Sequence, residues 1–202
     1  MPYNHTAESR PKAGIRARIA RALLRLAGWR VVVAPRVPLR CVTIFYPHTS
    51  NWDFPIGLLA KWATGMFFRY VGKDTLFRGP LGSLMRRWGG IPVNRRKRAG
   101  FIAQMKVEFA RHEDFRLVIA PEGTRRRTDF WKSGFYHLAR AADVPVALAF
   151  IDYGRREVGV GGCVDLSGNV EADMSRIAAF YAGKRGRHPE QQGPVALRDD
   201  AP

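Results

Sequence analysis

The fold of this chain is most constrained by one junction near its first third. An apolar, β-branched run, Cys41-Val42-Thr43-Ile44-Phe45, meets the turn-forming stretch Tyr46-Pro47-His48-Thr49-Ser50-Asn51, and a helical pattern takes over from about Phe54. The first run suits a pleated, buried surface, and the polar cluster has the composition of a helix start. A strand therefore ends and a helix begins around His48. Thr49, Ser50 and Asn51 are candidate N-caps, and Asp53 falls in the first turn, where the helix dipole favours a carboxylate.

The same alternation continues along the chain. Strand-like runs are expected from Trp29 to Ala34, Leu39 to Phe45, Met66 to Val71, Ile91 to Val93, Phe115 to Ala120, Val144 to Ile151 and Val158 to Leu166. Helical patterns separate most of them, from about Phe54 to Ala63, Leu76 to Trp88, Ala99 to His112, Trp131 to Ala142 and Val170 to Ala182. Gly79-Pro80 sits awkwardly in the second of these. Strands alternating with helices give the α/β class, here a single domain over 14–183 around a central sheet. Residues 1–13 read as a disordered arm and 184–202, polar and rich in Gly and Pro, as a flexible tail.

Residues 14–28 read as a basic amphipathic helix. Ile15, Ile19, Ala22, Leu23 and Leu26 share one face, and Arg18, Arg21 and Arg25 share another. Such a helix can cover a core or lie on anionic lipid. Charge matters here because the whole chain carries a formal net charge of +17. Its partners should be anionic: phosphorylated substrates, an acidic membrane surface or nucleic acid. No run approaches the ~18 apolar residues of a membrane span, so membrane contact is expected to be peripheral. Met1 to Lys12 holds no apolar segment of the signal-peptide kind. Cys41 and Cys163 both lie in strand-like runs and read as buried thiols, which suits a reducing compartment.

His48 and Asp53 are five residues apart across a cap and one helical turn. At that spacing a carboxylate can reach an imidazole nitrogen, fix its tautomer and support positive charge on the ring. The missing nucleophile can be a hydroxyl of the substrate. The competing reading makes Asp53 a helix cap and His48 a surface turn residue. Two later turns follow apolar strands in the same way, Gly90-Ile91-Pro92-Val93-Asn94-Arg95 and Ala120-Pro121-Glu122-Gly123-Thr124-Arg125. In open α/β sheets, sites form at the C-terminal strand edges, so these turns can converge with His48 on one cleft. Arg95 and Arg125 offer planar forks for phosphate. Gly123 allows close backbone approach. Glu122 can orient an arginine or accept a hydrogen bond from a substrate hydroxyl.

With these residues in hand, the chain resembles the glycerolphosphate and lysophosphatidate acyltransferases. His48-Thr-Ser-Asn-Trp-Asp53 looks like their His-x4-Asp block, and Gly90 to Arg95 is similar to their second block. Glu122-Gly123-Thr124-Arg125 resembles their Phe-Pro-Glu-Gly-Thr-Arg block, and Val144-Pro145-Val146 their apolar-Pro-apolar block. The four occur in order. The resemblance implies a mixed sheet flanked by helices, with His48 facing a cleft and a tunnel for an acyl chain. It implies His48 as general base oriented by Asp53, with a lipid hydroxyl attacking an acyl thioester of coenzyme A or acyl-carrier protein. Arg95, Glu122, Gly123, Thr124 and Arg125 would bind the acceptor phosphate, with Lys132 and Trp131 as further candidates for the same cleft. It implies no metal, no cofactor beyond the donor substrate, and no acyl-enzyme. Ala120 departs from the usual Phe of the third block, and Asn94 and Arg126 depart nearby. These changes surround the acceptor pocket, so lysophosphatidate is the first expectation and another lipid acceptor the second.

Two readings compete with it. A basic protein that binds nucleic acid or membrane without catalysis fits the charge, yet no RNA-recognition signature or zinc spacing accompanies it. A thioester or lipid hydrolase would use the same pair on water. The expected location is cytoplasmic, at the inner face of the cell membrane.

Overall fold

The apolar runs become the strands of one sheet. A computed structural model describes residues 14–93 and 98–198. Its strands are β1 (Arg30–Val33), β2 (Arg40–Tyr46), β3 (Phe68–Lys73), β4 (Gly90–Val93), β5 (Phe115–Ile119), β6 (Val146–Asp152) and β7 (Glu157–Val164). They lie in the order β1-β7-β6-β2-β5-β3-β4. The five strands β6, β2, β5, β3 and β4 are mutually parallel, whereas β7 runs antiparallel to β6 and β1 parallel to β7. The expected mixed α/β sheet is therefore present. Pro92 falls in β4, at the sheet edge, where a missing N–H is tolerated.

Six helices flank the sheet among the described residues: α1 (Ile15–Leu26), α2 (Asp53–Thr64), α3 (Gly79–Arg87), α4 (Arg98–Arg111), α5 (Gly134–Ala142) and α6 (Val170–Tyr181). Period-two alternation in β2 sends Val42, Ile44 and Tyr46 into the main core. There they meet Met105 and Phe109 of α4, Phe135 and Leu138 of α5, and Ile177 and Tyr181 of α6. Cys41 points the other way, toward Phe68 and Val160. On that opposite face, α1 and α2 form a second core through Ala20, Leu24, Ala60 and Ala63 against Trp29, Ile151 and Val158. Burial on both faces explains why β2 and β6 read as nearly unbroken apolar runs.

Several expectations are corrected. The large aliphatic face of α1 does not cover the core: Ala17, Ala20 and Leu24 are buried, while Ile15, Ile19, Leu23 and Leu26 are exposed. Small residues let α1 lie close against α2, and the bulky stripe is left outward. The segment expected as a flexible tail from 184 packs on the sheet edge, and its Leu197 bridges Trp131. Trp131 itself precedes α5 rather than starting it, because Trp131 is held by a backbone bond from its N–H to Ala196 O (2.7 Å). Cys163 is exposed, unlike Cys41. A 3₁₀ turn (Asp74–Phe77) precedes α3, which then starts with Pro80 in its first turn, the one place proline suits. Among the described residues, no helix is long and apolar enough to cross a membrane. The expected N-terminal arm lies outside the described residues.

Candidate active site

Parallel packing puts the C-terminal ends of β2, β5 and β6 at one edge of the sheet. β2 delivers His48 there, and α2 begins at Asp53. None of the three expected caps serves: the N-cap is Trp52, without a side-chain bond. Ser50 Oγ instead accepts the Trp52 N–H at 3.2 Å, tightening the turn. Asp53 folds back on its own loop. Its Oδ2 accepts the Ser50 N–H at 2.9 Å and lies 3.1 Å from His48 Nδ1. Its Oδ1 accepts the Tyr153 hydroxyl at 2.8 Å. A carboxylate can only accept, so Nδ1 carries the proton and Nε2 is left with a free lone pair. Asp53 is 1% exposed, whereas the His48 side chain is 18% exposed. The imidazole is partly open to solvent and its carboxylate partner is sealed behind it.

Glu122 takes a different place from the one expected. It is 1% exposed, and its Oε2 accepts the backbone N–H of His48 at 2.8 Å. The Gly193 backbone N–H is a second donor to it. Burial pushes this carboxyl up to about 7 and the nearby Asp53 charge adds to the rise, while the two N–H donors work against it. Glu122 therefore ties the His48 loop to the turn after β5 and to the C-terminal segment.

Gly123 follows with φ +66, a conformation that a side chain rarely adopts. The Lys132 side chain arches over it, and a Cβ there would lie 2.8 Å from Lys132 Nζ. Lys132 therefore lies against this turn. Thr124 Oγ1 accepts the Arg126 N–H at 3.2 Å and shapes the turn. Arg125 is exposed on the same turn. Arg95 lies outside the described residues.

The segment after α6 crosses this edge like a strap. His188 donates its N–H to Thr49 Oγ1 at 3.2 Å, and the Tyr46 hydroxyl donates to Gly193 O at 2.7 Å. Arg185 O accepts the Tyr153 N–H at 2.8 Å. With the Gly193 N–H on Glu122, one segment thus holds the loops after β2, β5 and β6. Beside the His48–Asp53 pair runs an open groove of about 430 Å³ between α1 and α2, lined by Leu24, Trp29, Trp52, Pro55, Ile56 and Leu59, with Tyr153, Arg156 and Arg187. The Arg187 guanidinium stands 5.7 Å from the Trp52 ring.

Sequence reasoning missed Tyr153 and the strap. Tyr153 directly follows the last residue of a buried strand, Asp152, at the edge where His48 and Glu122 also sit. That position was the available signal. Nothing in a Gly- and Pro-rich stretch marked the strap.

A family model described as Acyltransferase matches residues 38–149. The chain is also similar in fold to the crystal structure of the 1-acyl-sn-glycerophosphate (LPA) acyltransferase PlsC from Thermotoga maritima, with a TM-score of 0.53 at 15% identity, covering 84% of this chain and 80% of that one. No curated protein sequence matches the chain.

Proposed function

Because this chain belongs to the acyltransferase family and is an O-acyltransferase, we propose that it moves a fatty acyl group from a thioester to a lysophospholipid hydroxyl. The donor is acyl-coenzyme A or acyl-carrier protein, and the acceptor is 1-acyl-glycerol 3-phosphate, giving phosphatidate. The observation that carries this reading is the His48 Nδ1–Asp53 Oδ2 contact at 3.1 Å, with the carboxylate sealed and the ring open. A transferase needs a base for the acceptor and no nucleophile of its own.

His48 Nε2 takes the proton from the acceptor hydroxyl as its oxygen attacks the thioester carbonyl. The imidazolium is held by Asp53. The tetrahedral oxyanion collapses, the carbon–sulfur bond breaks, and the thiolate takes the proton back from His48. The base is then restored and the ester is complete. Lys132, Arg125 and Arg95 bind the acceptor phosphate. Gly123 lets the substrate near the backbone, and Thr124 shapes their turn. Glu122 fixes the loop that carries the base. The groove between α1 and α2 accommodates an acyl chain, since its walls are aliphatic and aromatic and it adjoins Asp53 through Trp52 and Tyr153.

The reading also includes the surface of an anionic membrane, at the inner face of the cell membrane. Its support is the outward stripe of Ile15 (77% exposed), Ile19, Leu23 and Leu26 (86% exposed). On a helical wheel, Arg18 and Arg25 border this stripe on one side and Arg16 on the other. Arg21, also exposed, reaches across to α2, its Nε donating to Ala63 O at 2.8 Å.

Product analysis tests the reaction. With labelled long-chain acyl-coenzyme A or acyl-carrier protein, label should enter phosphatidate only when lysophosphatidate is supplied. Release of free fatty acid at an equal rate without acceptor would replace the transferase with a hydrolase.

A further inference from the structure

The Asp53 carboxylate has its two oxygens divided between two tasks. Oδ2 serves its own loop, taking the Ser50 N–H and facing His48 Nδ1. Oδ1 takes a single side-chain donor, the hydroxyl of Tyr153, at 2.8 Å and from 100 residues away in sequence. Tyr153 lies just past the matched family domain, which ends at 149. It is itself held on three sides. Its N–H donates to Arg185 O at 2.8 Å. Its ring meets Trp29 edge-on, with centroids 5.0 Å apart. The Arg187 guanidinium lies 6.0 Å from its ring centre. Burial first, then the hydrogen bond to Asp53 and the charge of Asp53, keep the phenol protonated well above its ordinary range, while Arg187 works the other way. Tyr153 is therefore a permanent donor at any working pH.

We propose that Tyr153 is a positioning residue of the acyl-transfer site, whose hydroxyl fixes the Asp53 carboxylate so that Oδ2 stays on His48. The inference rests on the His48–Asp53 mechanism proposed above. A buried carboxylate with a free oxygen can swing about its terminal torsion, which is broad and shallow for Asp. Tyr153 removes that freedom by occupying Oδ1. It also stabilises the anion that must face the imidazolium as His48 takes the acceptor proton. The Tyr153 proton stays on its oxygen throughout. Because Tyr153 reaches Asp53 from the β6 end, and its own N–H is anchored on the strap, the alignment of the pair is coupled to the C-terminal segment. Among the described residues, the charged and titratable groups facing Asp53 and Tyr153 are His48, Glu122 and Arg187.

The test is Tyr153→Phe, which retains the ring against Trp29. We expect kcat to fall about 10- to 100-fold, the range in which small misplacements of a catalytic group act. The KM values of donor and acceptor should stay within about 2-fold, because phenylalanine keeps the ring that lines the groove and removes only the hydroxyl bound to Asp53. In an Asp53→Asn background, Tyr153→Phe should have no further effect, since coupled residues are not additive. A second arm needs no substrate. The downfield NMR resonance of the His48 Nδ1 proton, identified by its loss in His48→Ala, should shift and broaden in Tyr153→Phe.

Unchanged kcat and an unmoved resonance in a folded variant would overturn the inference. So would losses in the Tyr153→Phe and Asp53→Asn variants that simply multiply. Absence of acyl transfer by the wild-type protein with every donor and acceptor would sink the proposed reaction instead, and the resonance arm would still decide the role of Tyr153.

Discussion

The Glu122 carboxylate accepts the backbone N–H of His48 at 2.8 Å, across 74 residues of sequence. A buried acid thus sets the height of the proposed base above the sheet edge. The turn after β5 therefore sends Glu122 inward, whereas Arg125 on the same turn is exposed.

This contact has a pH signature. Burial, with Asp53 adding, lifts Glu122 from 4.5 to about 7. Between those values the folded state binds more protons than the unfolded chain, so stability falls as pH rises through this window. Glu122→Gln lacks that slope. The stability of wild type minus variant should therefore decrease from pH 4.5 to pH 8, by at most about 3 kcal/mol. Urea unfolding of both proteins across the range checks it. A difference that grows with pH would contradict the assignment.

Asp173 carries the opposite sign. It is fully buried near the start of α6 and accepts the Ser167 N–H at 3.0 Å, the Ser167 hydroxyl at 2.8 Å and the Tyr136 hydroxyl at 2.8 Å, with Arg176 as a charged donor. Burial disfavours its charge, but these donors outweigh that and hold the carboxyl well below its usual range. Its stabilisation is present above the ordinary Asp value of ~3.9 and is lost as pH falls through the lower folded value. Asp173→Asn should lose about 3 kcal/mol at pH 7, read by denaturant midpoints. Equal stability at pH 7 would show the cluster to be unimportant.

Gly186 tests the strap. A Cβ at this position would lie 2.6 Å from Thr49 Oγ1, and Thr49 is buried beside His48. The threonine cannot withdraw, so the strap must lift in Gly186→Ala. Overpacking of this kind lowers stability by about 1–3 kcal/mol. Activity should fall further than the folded fraction does. Adding Thr49→Ala should recover part of the loss by removing the clashing atoms. A Gly186→Ala variant with wild-type kcat would show that the strap does not govern the loop.

The outward stripe of α1 makes a separate prediction. Ile19 and Leu23 are 56% and 48% exposed, so changing both to Asp removes surface apolar area without opening the core. Sedimentation with anionic vesicles at low salt should be lost, with the thermal midpoint unchanged. Retained vesicle binding would exclude this face as the membrane contact.

How much of this was legible in the sequence depends on which interactions are local. The strands were, because their apolar runs are continuous wherever both sheet faces are covered, as in Val146–Asp152. The His48–Asp53 contact was also legible, since a cap and one turn fix the distance. The orientation of α1 was not. It has two apolar faces, and pattern reading favoured the bulky one, whereas close packing on α2 selected Ala17, Ala20 and Leu24. The partner of Glu122 was hidden because it is a backbone N–H, which no side-chain pattern encodes. The strap was hidden for the same reason: its anchors, such as the Tyr153 N–H on Arg185 O and the Trp131 N–H on Ala196 O, are main-chain groups in a polar, Gly-rich stretch. Tyr153 reached Asp53 only through the juxtaposition of β6 and β2.

The central claim is that His48, aligned by Asp53, is the base for acyl transfer. The most direct measurement is kcat for formation of labelled phosphatidate from acyl-coenzyme A and lysophosphatidate by wild type, His48→Ala and Asp53→Asn, each shown to be folded by its unfolding transition. The account predicts that His48→Ala loses about 10²- to 10⁴-fold in kcat and that Asp53→Asn loses a substantial part of the same factor. Wild-type kcat in folded His48→Ala would contradict it.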